Sequence, residues 1–172
     1  MARADSPPVR SEQVTQPQFI RPRVTCPGDV ETLTKAMLKD LPSYVNRAYL
    51  RTLGQRPGGI SYAIAASQPD FMPLPTVSSE YANPLDPHLH QIFFTMLERQ
   101  YLGQQMAELQ NYHWLFLSQT PEGWQIALMY SRFGSYPAGN QPVTAPQDSS
   151  QSLTAQAIRT WLRDCQAGAV RL

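Results

Sequence analysis

Asp86, His88 and His90 alternate along the chain, so in an extended segment their side chains leave on one side. Together with His113 they would offer imidazoles and a carboxylate, the kind of set that holds zinc with three or four N, O or S ligands at about 2 Å. The spacing permits such a site without specifying it, because no H-E-x-x-H or C-x-x-C accompanies it. The expectation is therefore no bound transition metal and no cofactor. A Cys–His nucleophile would need Cys26 or Cys165 beside a histidine, but Cys26 precedes Pro27 in a loop and Cys165 closes an amphipathic stretch, and neither carries a catalytic motif. Glu98 and Arg99 invite an acid/base or ion-pair reading, which an exposed strand face explains more simply. Pro57-Gly58-Gly59 lacks the helix, Lys and Ser/Thr that a phosphate cradle needs behind its glycines. Trp114, Phe116, Trp124 and Tyr130 could stack on bases or sugars, but no basic surround goes with them, and they read as core.

The elements that must position these residues are marked out by proline, which neither helix interiors nor paired strands tolerate. The chain has 16 prolines in 172 residues, about twice the usual ~5%. Residues 1–25 are polar and Pro-rich and read as a flexible arm, with residues 26–168 as a single domain. Asp29 caps a helix in which Val30, Leu33, Met37 and Leu41 form one stripe. Beyond Pro42 the period continues to Gly54, which predicts a bent helix or two abutting ones. Ile60 to Ala66 alternates as a first strand. A Pro-rich loop covers residues 68–87, with Phe71, Met72 and Leu74 set to lie against the body.

His88 to Tyr101 fits a helix stripe and a doubly buried strand equally well. The strand is preferred because Gly103 then turns the chain into Met106 to Ser118 and an antiparallel meander. Tyr112 to Phe133 organises the whole. Tyr112, Trp114 and Phe116 share one face, Trp124, Ile126, Leu128 and Tyr130 share one face of the next strand, and Thr120-Pro121-Glu122-Gly123 supplies the turn between them. After a Pro/Gly connector, Asp148 with Gln151 resembles a capping box. Leu153, Ala157, Ile158, Trp161, Leu162 and Cys165 then line a closing amphipathic helix, with Gly168 just past its end. The sum is an α+β domain, with a bent helix or helix pair, a four-stranded antiparallel meander and a C-terminal helix. Its layering is shared, in shape only, with cystatin-like and NTF2-like folds.

Fourteen Lys+Arg against 13 Asp+Glu leave a net charge of +1, which gives no electrostatic reason to expect nucleic acid or an anionic membrane. Only 16% of residues are charged, below the ~25% typical of globular domains. No run approaches the ~18 apolar residues of a transmembrane segment. Ala2-Arg3-Ala4 reads either as the tail of a signal-peptidase site or as chance in an ordinary terminus.

The segments CPGDVETLTKAMLKDLPSYVNRA, FFTMLERQY, ELQNYHWLFLSQTPEGWQIALMYSRFG and AIRTWLRDCQAG resemble those of a family of small cyanobacterial proteins, many of which begin with an export signal. The resemblance spans roughly residues 26–168. It brings no activity, cofactor or catalytic residue with it. It implies an exported address, in the periplasm or thylakoid lumen, whereas without it a cytoplasmic one stands equally. Cys26 and Cys165 lie at the outer ends of helices expected to cover the same sheet face. From the sequence alone a disulfide and two unrelated buried thiols weigh equally. The resemblance, with Ala2-Arg3-Ala4, favours the Cys26–Cys165 bridge. The leading expectation is then a non-enzymatic interaction or accessory protein of an extracytoplasmic compartment, with another protein as partner. A small-ligand binder with a pocket between helix and sheet lined by Tyr62, Phe94 and Trp114 comes second. A metal-dependent hydrolase built on His88, His90 and His113 comes third.

Overall fold

A computed structural model of the chain describes residues 24–53, 60–72, 86–102, 105–135 and 142–172. The arm over 1–23, the Pro57-Gly58-Gly59 turn, most of the Pro-rich loop and the Gly103 turn lie outside the described residues. Helix α1 is Val30–Leu53. It opens as the cap predicts, with the Thr32 amide donating to Asp29 Oδ1 at 2.8 Å. Leu33, Met37, Leu38, Leu41 and Val45 form its fully or nearly fully buried stripe. The chain passes Pro42 within this single helix of 24 residues, so the alternative of two abutting helices is corrected. Burial of Leu41 and Val45 on either side of the proline offsets the missing amide donor and the ring clash, a cost of about 3 kcal/mol.

The strands are β1 (Ile60–Ala66), β2 (Leu89–Leu102), β3 (Gln105–Thr120), β4 (Gly123–Phe133) and β5 (Gln147–Asp148). They form one sheet in the order β1-β2-β3-β4-β5, antiparallel throughout. The α+β class and the meander stand as expected, and so does the strand over His88 to Tyr101. The fifth, two-residue strand β5 is an addition at the β4 edge. Register shifts at Ala63/Ala65 and Phe116/Leu117 mark bulges. At the second, Leu117 pairs with Ile126 and Phe116 with Leu128, which leaves Ala127 as the extra residue.

Helix α2, Leu153–Gln166, lies beside α1 on one face of the sheet, α1 against β1 and α2 against β4. That face carries Ile92, Phe94 and Met96 of β2, Leu115 and Leu117 of β3, and Trp124 and Met129 of β4. Here the expected hairpin core is corrected. Tyr112, Trp114 and Phe116 point away from the helices, and the buried set of β3 is the other parity, from Ala107 to Leu117. Residues 112–117 are apolar at both parities, so alternation finds the strand but not its inward face. The bulge at Ala127 also exchanges the faces within β4, placing Trp124 and Ile126 inward with Leu117 but Leu128 and Tyr130 outward.

The α2 cap is likewise shifted. Ser152, not Asp148, accepts the Ala155 amide, while Asp148 belongs to β5 and accepts the Ser150 amide at 2.8 Å. The helix ends as expected near Gly168, at φ 69°, where the Gly168 amide donates to the Cys165 carbonyl and the Ala169 amide to the Asp164 carbonyl.

Cys26 and Cys165 are joined by a disulfide, with their Cα atoms 5.2 Å apart and a sequence separation of 139. Around it, Trp124 Nε1 donates to the Pro27 carbonyl at 2.9 Å, Gln119 Nε2 to the Gly28 carbonyl at 3.1 Å, and Gln166 Nε2 to the Trp124 carbonyl at 3.2 Å. Gly123, at φ 117°, lies under the Gln166 side chain, which any Cβ there would meet. Loop-closure entropy assigns about 5 kcal/mol to a cross-link of this span, an upper figure. Thiol titration of the unfolded, unreduced protein from an oxidising host is expected to find no free thiol, and the Cys26→Ser/Cys165→Ser variant is expected to be destabilised by as much as that amount. Two titratable thiols would show that the bond does not form.

Candidate functional site

With both helices on one side, the opposite face of the sheet has no helix over it among the described residues. Cross-strand register builds rows on it: Phe93, Trp114 and Tyr130 form one, Thr95, Tyr112 and Arg132 the next, and Gln91, Phe116 and Leu128 a third. The Phe93 ring lies 5.3 Å from Trp114 and 6.4 Å from Tyr112. The Arg132 guanidinium sits 4.6 Å above Tyr112 and 5.8 Å from Trp114, a cation–π arrangement that holds both rings in place. Its Nε is buried with no hydrogen-bond partner. Tyr130 is 38% exposed and the other ring residues are half-buried. Arg99 and Glu108 flank the patch as a 2.7 Å ion pair.

The expected ligand pocket does not assemble. Tyr62 is half exposed on β1 opposite Arg99, on the helix-free face with Trp114, whereas Phe94 is fully buried on the helix face. Neighbouring strand positions point to opposite sides, and Phe93, not Phe94, is the residue that meets Trp114. The histidines do not converge either. His88 is exposed, its amide donating to Asp86 Oδ1 at 2.9 Å. His90 sets its ring 5.3 Å from Trp124. His113 pairs in register with Phe94, four positions along β2 from His90, which is roughly 13 Å. Among the described residues no group of His, Cys, Asp and Glu could hold a metal ion, and the hydrolase reading loses the convergence it required.

A second polar arrangement lies inside the core, and the sequence did not disclose it. Glu98, expected on an exposed face, is 3% exposed beneath α1, where Tyr49 donates its hydroxyl to Oε2 at 3.1 Å. Its parity on β2 puts it with Ile92, Phe94 and Met96. Burial pushes its carboxyl above the usual carboxylate range, against hydrogen bonds from Tyr49 and Asn111 that pull it down. Burial and the Glu98 charge together raise the Tyr49 hydroxyl. His113, 4% exposed, stacks on Phe94 at 4.9 Å and shares a 2.7 Å hydrogen bond between Nδ1 and Ser131 Oγ. Burial brings its imidazole down to about 4.

A serine hydroxyl on an imidazole is the geometry of a nucleophile and its base. Here, however, Ser131 Oγ is already bridged to Ser149 Oγ at 2.6 Å, and His113 Nε2 is buried without a partner. None of the described cavities is lined by His113 or Ser131. The network fastens β3, β4 and the Ser149 turn.

These buried groups make stability depend on pH in opposite senses. Unfolded His113 takes up its proton near pH 6.5, while the folded protein resists down to about 4. Its contribution is complete above that range and is lost as pH falls through it, by up to roughly 3 kcal/mol. Glu98 favours its protonated form when folded, so its contribution declines as pH rises from the ordinary carboxylate range. Urea midpoints from pH 4 to 8 are expected to show Glu98→Gln stabilised relative to the parent near pH 7, with the gain shrinking towards pH 4. Identical pH profiles would mean that the carboxyl ionises as freely as in water.

Comparison of the chain with protein-family models, with curated proteins and with solved structures finds no match in any of the three, so what this protein does is read from its own geometry.

Proposed function

We propose that this is a non-enzymatic interaction protein that docks another protein on the helix-free face of its sheet, around Trp114, and that it works in an oxidising compartment outside the cytosol. The observation that carries the reading is the grouping of Trp114, Tyr112, Tyr130 and Arg132 on one face. Trp, Tyr and Arg are the residue types that dominate binding energy at protein interfaces, because large rigid rings and a planar cation gain most from losing water. The balanced charge of +1 favours a protein partner over a polyanion. The Cys26–Cys165 bond supports an oxidising compartment, since stable disulfides are rare in the reducing cytosol. The resemblance to exported cyanobacterial proteins would make that compartment the periplasm or thylakoid lumen.

Trp114→Ala and Tyr112→Ala are tested for capture of a cross-linked partner from the native compartment, with circular dichroism as the check on folding. A central ring of this kind is expected to cost about 2 kcal/mol or more of binding, roughly thirtyfold in affinity. Capture unchanged by both substitutions in folded protein would overturn the assignment of this face.

A further inference from the structure

Away from the sheet, α1 and α2 leave a groove of about 190 Å³ between them, lined by residues of those helices alone. Arg47 and Arg51 enter it from successive turns of α1, and Arg163 faces them from α2. Like charges four residues apart on a helix repel, and a third guanidinium across the groove adds to the repulsion. The carboxylate on the groove, Asp164, is engaged already: Tyr44 donates its hydroxyl to Oδ2 at 3.0 Å, and Arg163 lies 3.6 Å from Oδ1. Among the described residues Arg47 and Arg51 form no ion pair. The Arg47 guanidinium is held 4.0 Å over the Tyr44 ring, which fixes its plane. Thr52 and Thr160 also line the groove. Each donates its hydroxyl proton to its own helix, to the Ala48 and Gln156 carbonyls, so what each turns to a ligand is an oxygen lone pair.

We infer that this groove is a binding site for a phosphate group, free or carried on a small phosphomonoester. Guanidinium N–H pairs match the oxygens of a tetrahedral anion two at a time, and a threonine lone pair accepts a hydrogen bond from the P–OH that inorganic phosphate, unlike a phosphomonoester with its second pKa of about 6, keeps near neutral pH. The volume is below the ~300–1,000 Å³ of pockets for drug-sized ligands, which suits a group of phosphate size. The site is separate from the helix-free sheet face and does not depend on the partner proposed there.

The test is isothermal titration of the full disulfide-bonded chain with sodium phosphate and with glycerol 2-phosphate, against sodium chloride at matched ionic strength. Saturable binding of one equivalent is expected. It should weaken at least about tenfold in Arg47→Gln/Arg51→Gln and change by less than about twofold in Arg171→Gln, which removes an exposed charge outside the groove. Tighter binding of glycerol 2-phosphate would identify a phosphomonoester as the ligand, and tighter binding of inorganic phosphate the free ion. The arginines involved are exposed, so the variants should melt as the parent does without phosphate. Non-saturable heats, affinity untouched by the double substitution, or equal loss in Arg171→Gln would each overturn the site.

Discussion

Two features of the described surface follow from one constraint, the tying of both helices to the same face of the sheet at a single corner. There the Cys26–Cys165 bond joins the chain just before α1 to the last turn of α2. Trp124 and Gln119, on either side of the β3–β4 turn, hold the carbonyls of Pro27 and Gly28. The helices therefore cannot divide between the two faces, as they do in a doubly wound sheet. The strand rows that carry Trp114 and Arg132 are left without a helix, and the arginines of α1 and α2 are brought to one groove. A covalent link with so much chain between its ends acts mainly by limiting the unfolded ensemble. The hydrogen bonds around it fix which face is covered.

Beneath the helices the core is not purely apolar, and its polar members show how α1 keeps its place. Asn46 donates to the Ala63 carbonyl at 2.9 Å and accepts the Ala63 amide at 2.7 Å, next to the bulge where β1 departs from regular pairing with β2. Tyr49 reaches Glu98 from the following turn, and on the α2 side Trp161 donates to Asp40 of α1 at 3.0 Å. An apolar stripe alone would let the helix slide or rotate by a small amount at little cost. Directional bonds to buried atoms penalise such movement, because each broken one strands a desolvated polar group at about 1–3 kcal/mol.

Much of the fold could be read from residues whose physics is local. Asp29 at the α1 cap, the Thr120 to Gly123 turn with its positive-φ glycine, and Gly168 past α2 all act through their own backbone, and all stand where the sequence puts them. What stayed hidden was set by contacts distant in sequence. Residues 92–97 and 112–117 are largely apolar at both parities, so nothing in them says which side the helices take, or that Phe94 and Trp114 leave opposite faces. The bulge at Ala127 carries no glycine or proline to announce it. Glu98 looks like a surface residue until its strand parity is known, and Asp148 matches a capping pattern although it pairs with Tyr130 in β5 and leaves the cap to Ser152.

The helix-free face is also informative in its choice of residues. A sheet face meant only to stay wet would alternate to charged and hydroxyl side chains, as antiparallel sheets with one solvated side do. A face meant to be permanently covered by its own chain would be fully buried, as Ile92, Phe94, Met96, Leu115 and Leu117 are on the other side. Phe93, Tyr112, Trp114 and Tyr130 fall between these, with the Phe93 ring packed on Tyr112 and Trp114 and Arg132 over Tyr112. Tyrosine hydroxyls and a guanidinium keep such a surface tolerable in water, while the ring faces still gain from burial against a partner. That intermediate character is what the proposed docking of a partner protein would draw on.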